Sequence, residues 1–264
     1  MGTEKIVLRH VEKEFRSKRQ TIHALHDINL SIPEKEIVSI VGPSGCGKST
    51  IIRIINDIIK PTSGEIVVDG YSYGEKVPAE VIRKMGFIFQ RPNLLPWLTV
   101  RQNIAFPLTI LRLKGPKWDE YVDRLLEKGL LTACANSYPS SLSGGMTQRV
   151  GVLRGMVFQP EILLMDEPFG ALDDMLREQL DLETLALWKE LGQTIVFITH
   201  NVREAVLMSS KVYVMATQPG RVIAEILIDI PYPRSLEVIV EPKFIEYEKK
   251  ITALIGEIEL SQIV

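Results

Sequence analysis

The spacing of hydrophobic and polar positions changes period several times along the chain. Ile6-Val7-Leu8 and residues 25–30 are short alternating or apolar runs between polar turns, a strand pattern. Residues 36–41 form a buried-type strand that enters a glycine-rich stretch. Isoleucines at 51, 52, 54, 55, 58 and 59 then predict a helix over 48–59, stopped by Pro61 and Gly64. Strand character returns at 65–68 and 85–90. Residues from about 99 to 157 read as helical, interrupted by Gly115-Pro116 and by the polar stretch 136–145. The continuous apolar runs 162–166 and 194–199 suit central parallel strands covered on both faces. A helix over 174–191 between them makes a βαβ unit. Residues 211–215 and 222–228 predict a closing hairpin. From Pro242 onward, Phe244, Tyr247, Ile251, Leu254, Ile255 and Ile258 share one helical face.

The pattern as a whole predicts one α/β unit. Its core spans residues 1–90 and 155–230. A helical subdomain is inserted at 91–154, and a tail follows at 231–264.

Composition narrows the function classes. The chain has 264 residues, is 45% hydrophobic and 24% charged, and has a net charge of -2, as expected of an ordinary folded protein. A nucleic-acid partner is not expected, because there is no basic excess or stripe. The small group Arg16, Lys18 and Arg19 reads as a solvated hairpin tip. No apolar run is long enough to span a bilayer, and Met1 to Lys5 do not begin a secretion signal. Any membrane span must therefore come from another chain. The two cysteines, Cys46 and Cys134, lack metal-ligand spacing, and a reducing, intracellular setting is expected.

The chemistry is concentrated in a few motifs. Gly42-Pro43-Ser44-Gly45-Cys46-Gly47-Lys48-Ser49-Thr50 stands between a predicted strand and a predicted helix, the context of a phosphate-binding loop. Its backbone N–H groups and the helix N-terminus favour phosphate oxygens. Lys48 can reach the β- and γ-phosphates, and the Ser49 hydroxyl can ligate Mg²⁺. Cys46, at the same helix N-terminus, is expected to have a lowered pKa and to react with thiol reagents. Farther on, Leu142-Ser143-Gly144-Gly145 opens a second glycine-rich turn ahead of a helical run, and residues 162–168 end in Asp166-Glu167-Pro168.

In that order and at that distance, these motifs resemble the ABC ATPase family over about residues 4–230. The resemblance implies a P-loop NTPase core, with a mixed, largely parallel sheet and an N-terminal antiparallel β-subdomain, that binds ATP and Mg²⁺. It implies that Asp166 holds the metal, that Glu167 is the general base, that His200 contacts the γ-phosphate, and that Gln90 senses the metal and the attacking water. It also implies that Phe15 stacks on adenine and that Ala171-Leu172-Asp173 crosses a dimer interface. Ser143, Gly144 and Gly145 head a helix as an anion site without a fixed cation. In the family such a site closes on ATP held by the P-loop of a second subunit, so a head-to-tail dimer with a second copy or a homologous ATPase is implied. Met146 stands where many members have glutamine, Gly151 and Gly155 where they more often have alanine, and Gly170 where serine is usual. A glycine in a helix interior costs about 1 kcal/mol relative to alanine.

Chromosome-type members insert a long coiled coil and translation-type members carry two cassettes, and this chain has neither. A nucleotide sensor without turnover is disfavoured by the intact Glu167. Residues 92–100, Pro-Asn-Leu-Leu-Pro-Trp-Leu-Thr-Val, place leucines and a tryptophan in a proline-bounded loop. That stretch reads as either a satellite core or a docking groove for a helix of a multi-span permease, the partner bound near Gln90 to Val100. Together with Pro231-Tyr232-Pro233-Arg234, it resembles importer ATPases for nitrate, sulfonate and taurine. The resemblance further implies a place at the cytoplasmic face of the cell membrane and an indirect link to a solute-binding protein.

Overall fold

The computed structural model describes residues 3–17, 20–73, 77–170 and 172–261, apart from the side chains of residues 259 and 261. Lys18, Arg19 and Ala171 therefore lie outside the described residues. Strands β1 (Glu4–Arg16) and β2 (Thr21–Pro33) form a long antiparallel hairpin. These strands are longer than the alternation predicts, because the inward parity slips by one residue in each. Ile6 and Leu8 are buried and then Val11; Leu25 is buried and then Ile28, Leu30 and Ile32. The slips fall at His10 and Asp27, both at positive φ, where the register shifts as in a β-bulge.

Strand β3 (Ile37–Val41), buried throughout, leads through the glycine-rich loop to helix α1 (Lys48–Ile55). The helix ends four residues before Ile59. Asp57 adopts φ 55°, and the N–H groups of Ile58 and Ile59 both turn back to the Arg53 carbonyl. Next come β4 (Ser63–Val68), β5 (Tyr71–Ser72), α2 (Ala79–Arg83) and β6 (Met85–Ile88). Helices α3 (Val100–Ile110), α4 (Pro116–Lys128) and α5 (Gly144–Met156) follow. The chain closes with β7 (Ile162–Asp166), α6 (Asp174–Leu191), β8 (Thr194–Ile198), α7 (Val202–Met208), β9 (Lys211–Ala216), β10 (Arg221–Leu227) and α8 (Pro242–Ser261).

Two sheets result. One is antiparallel, in the order β2-β1-β4-β5, and the other runs β10-β9-β3-β8-β7-β6. In the second sheet every pairing from β9 to β6 is parallel and only β10 is antiparallel. The fold is therefore the α/β arrangement that the apolar runs imply. Every residue of β3, β7 and β8 is buried, as strands covered on both faces must be. The apolar face of α8 lies on the sheet side of the molecule, with Phe244 and Ile251 packed in one cluster with Val206, Val214 and Ile226.

The two helix glycines have a packing reason. A Cβ at Gly155 would come within 2.6 Å of Ile88 Cγ1, and one at Gly151 within 2.9 Å of Pro92 Cβ. Helix α5 therefore lies directly on β6 and the segment after it. Alanine at either position forces that segment to shift, and such overpacking typically costs 1–3 kcal/mol.

Candidate functional site

The catalytic end of the parallel sheet is assembled from the C-terminal ends of β3, β7, β8 and β6, where α/β folds present their ligand sites. The loop after β3 turns at Gly47, which caps α1 at φ 95°, in the left-handed region that favours glycine. Lys48 is buried, and its Nζ donates to the carbonyls of Gly42 at 2.8 Å and Pro43 at 3.0 Å. The ammonium thus sits inside the loop, among backbone carbonyls and at the N-terminus of α1. Ser44 and Gly45 are exposed, and Ser49 and Thr50 are half-buried at the first turn of α1.

One turn of this helix meets the end of β7. Ser49 Oγ donates to Asp166 Oδ1 at 2.7 Å. Burial pushes the Asp166 carboxyl above its usual range, and the Ser49 hydrogen bond opposes that shift. A hydroxyl and one carboxylate side by side are hard oxygen donors. That set fits Mg²⁺, which takes its remaining ligands from water and substrate phosphate.

Glu167 follows at φ 45°, its N–H held by the Ile198 carbonyl at 2.9 Å. Its Oε2 is a point of convergence. Gln90 Nε2 donates to it at 3.1 Å from the end of β6, and His200 Nδ1 stands 3.2 Å from it at the end of β8. Three strands thus deliver Gln90, Glu167 and His200 to one oxygen. Gln90 and His200 are exposed and Glu167 is half-buried, so the cluster opens to solvent.

Other residues of the sequence motifs lie apart from this cluster. Ser143 accepts from the Met146 N–H at 3.3 Å and caps its own helix α5. Ser143 and Gly144 are exposed, whereas Gly145 is buried against Leu176 of α6. Among the described residues, no hydrogen bond joins this turn to the P-loop of the same chain. Asp173 caps α6, accepting from the Leu176 N–H at 3.0 Å, and is exposed. Phe15 lies near the end of the β1–β2 hairpin opposite Ile22, with its ring partly exposed and Lys13 Nζ 4.9 Å from its centroid.

Cys46 corrects the sequence expectation. Its side chain is buried, and burial pushes the thiol above its ordinary pKa despite the nearby Lys48. Desolvation of the thiolate outweighs the helix terminus and the neighbouring cation. Disulfide-exchange titration of the native protein is therefore expected to leave Cys46 unlabelled until denaturant is added. Rapid labelling in buffer would contradict this.

Sequence reading assigned no role to the residues that shape the loop beside Gln90. Buried Asn103 accepts from the Leu95 N–H at 2.8 Å and donates to the carbonyls of Leu95, Leu98 and Thr99 at 2.9–3.1 Å. Arg154 donates to the carbonyls of Pro92 and Asn93. Gln148 donates to the Pro168 carbonyl and ties α5 to the turn after Glu167. A polar residue in line with Val100, Ile104 and Leu108 on α3 was the available signal for Asn103. With the loop so held, Trp97 is 68% exposed, while Leu94 packs on the core.

A strand, glycine-rich loop and helix, with an Asp-Glu pair at the end of β7, two places away in the same sheet, define a P-loop nucleotide-hydrolysing enzyme. A sequence model of the ABC transporter family matches residues 25–170. The chain belongs to this family and is an ATPase. A putative ATP-binding protein of Brucella abortus is 42% identical over 228 residues, 86% of each chain. The aliphatic sulfonates import ATP-binding protein SsuB of Bacillus cereus is 37% identical over 246 residues, covering 93% of this chain and 94% of its own. Among solved structures, a dimeric ATP-binding cassette in a post-hydrolysis state, bound to ADP and Pi, superposes with a TM-score of 0.76 at 34% identity. The match covers 86% of this chain and all of that one.

Proposed function

We propose that this ATPase is the motor of an importer for a small sulfonate-like solute, attached to separate membrane subunits at the cytoplasmic face of the membrane. In this reading the loop of Gly42, Pro43, Ser44, Gly45, Cys46, Gly47, Lys48, Ser49 and Thr50 binds the phosphates and Phe15 stacks on adenine. Ser143, Gly144 and Gly145 close on the ATP of a second copy, with Asp173 at the same interface. Ser49, Asp166 and Gln90 would hold Mg²⁺, which would supply charge neutralisation for phosphoryl transfer. Glu167 accepts a proton from the attacking water, Gln90 orients that water, and His200 donates to the γ-phosphate.

The observation that carries the transport reading is the surface beside Gln90. Phe87, Phe89, Leu95, Phe106 and Phe158 line a groove of about 270 Å³ that shares its loop with the exposed Trp97. An apolar groove bordered by large aromatic rings suits the apolar face of a partner helix. Its wall is the segment that carries Gln90, so a helix seated there is mechanically joined to the hydrolysis site. The relatives that import aliphatic sulfonates support the solute class. Among the described residues no helix is long and apolar enough to cross a membrane, in keeping with a pore supplied by other chains.

The test is co-purification from membranes. Tagged chain should retain a multi-span permease in mild detergent, and Trp97→Glu should reduce the retained permease several-fold without altering soluble ATP binding. Equal retention by the variant would remove the groove from the docking surface.

A further inference from the structure

Helix α6 starts at the Asp173 loop and carries Asp181 inward two turns later, toward α7. Helix α7 starts directly after His200 and carries Glu204. Both carboxyl groups are buried. Glu204 belongs to a ring of bonds around the His200 turn: its Oε2 accepts from the Thr199 hydroxyl, Thr199 Oγ1 accepts from the Asn201 N–H at 2.9 Å, and Asn201 Oδ1 accepts from the Glu204 N–H at 3.2 Å. Glu204 Oε1 and Asp181 Oδ1 are buried and meet no donor among the described residues. Both carboxyl groups line the same cavity where α6 packs on α7. Two buried acceptors cannot satisfy one another unless one of them carries a proton.

No other group takes that role. Arg177 of α6 is the nearest cation, but its guanidinium already donates to the carbonyls of Phe169 and Leu172 and to Asp174. Arg203 of α7 pairs with Glu248 of α8 at 3.3 Å. The other charges that face the pair are acidic: Glu178 on α6 and Glu167 at the end of β7. With Asn201, Arg177, Glu178, Arg203 and Glu248 line a polar cavity of about 240 Å³ over the carboxyls, a route for proton exchange with solvent.

We propose that Asp181 and Glu204 share one proton, and that this bond locks the His200 turn onto the helix leading from the Asp173 loop. Both are positioning residues for ATP hydrolysis: neither touches nucleotide, and each acts through His200. The proposal rests on the reading of His200 as a γ-phosphate contact. Burial, and then each other's charge, raises the proton affinity of Asp181; burial also pushes Glu204 up to about 7. A carboxyl with a raised folded-state pKa binds more protons folded than unfolded, so its contribution to stability falls as pH rises toward the folded pKa. Above that range both carboxyls are charged and repel, and the lock opens.

The experiment is steady-state hydrolysis of Mg-ATP by the intact protein from pH about 6 to about 9, with Tm measured at each pH. The wild type should lose kcat by up to about tenfold per pH unit above the transition, the fall of a singly protonated form. KM for ATP should stay nearly constant. In Asp181→Asn the amide donates to Glu204 at every pH, so both the loss of Tm on the approach to the transition and the fall in kcat above it should disappear. Glu204→Gln, which can accept from Thr199 and donate to Asp181, should behave alike and guards against misfolding of one variant. If both variants keep the wild-type alkaline fall, the shared proton is not the lock. His200→Ala separates the two readings: full activity in that variant would overturn the role of His200 itself. Loss of activity there, with unchanged pH profiles in the carboxyl variants, would overturn the lock alone.

Discussion

Glu167→Gln is expected to slow ATP hydrolysis by about 10²–10⁴-fold, the usual contribution of a general base, while ATP binding persists. The expectation follows from how Glu167 is placed. Its backbone is fixed at φ 45° by the bond from its N–H to Ile198, and its Oε2 receives Gln90 at 3.1 Å and His200 at 3.2 Å. Glutamine has the same length and can still present an oxygen to Gln90, so the surrounding geometry should survive. It cannot accept a proton at neutral pH, so under the proposed role the attacking water would lose its base. The phosphate-binding amides and Lys48 are untouched, so bound ATP should remain unhydrolysed. Phosphate release measures the first effect. Size-exclusion chromatography with ATP measures the second: the variant should run as an ATP-bound dimer. Turnover near the wild-type rate would assign the base to another residue.

The sequence made legible those parts of the site that a local stretch determines by itself. The P-loop needs only its own glycines, Lys48 and Ser49 between a strand and a helix, and the buried runs of β3, β7 and β8 declare themselves by continuous hydrophobicity. Helix α6 is read at its observed bounds because Asp173 caps one end and Gly192 adopts the left-handed conformation at the other. What escaped depends on contacts between distant segments. The parity slips at His10 and Asp27 hide the full length of β1 and β2 from a period-two reading, which finds only residues 6–8 and 25–30. Gly151 and Gly155 look like weak helix residues until Pro92 and Ile88 are found against them. The Cys46 thiol is controlled by what buries it, which its loop alone does not reveal. Asp181 and Glu204, ordinary acidic residues in two amphipathic helices, become a pair only when α6 and α7 pack.

If the site is divided between two chains as proposed, a mixing experiment should reveal it. Lys48 supplies the ammonium inside the P-loop, and Lys48→Ala alone should abolish hydrolysis. Gly144→Asp should also abolish it, for a different reason. Gly144 has open space around it, so an aspartate there fits the fold, and at the first position of a helix its charge even favours helix formation. That carboxylate would, however, face the γ-phosphate of the ATP bound by the partner copy and repel it. Each variant by itself has both composite sites damaged. In a dimer of one Lys48→Ala chain with one Gly144→Asp chain, the P-loop of the second meets the intact Ser143 turn of the first. One site is therefore whole and the other carries both lesions. Random pairing of equal amounts makes about half of the dimers mixed, so about a quarter of the wild-type sites should return if each works independently. Phosphate release by the two variants alone and mixed decides the matter. Recovery requires that Lys48 and Gly144 serve the same ATP from different chains, whereas two inactive proteins that stay inactive together would place both residues in a site within one chain.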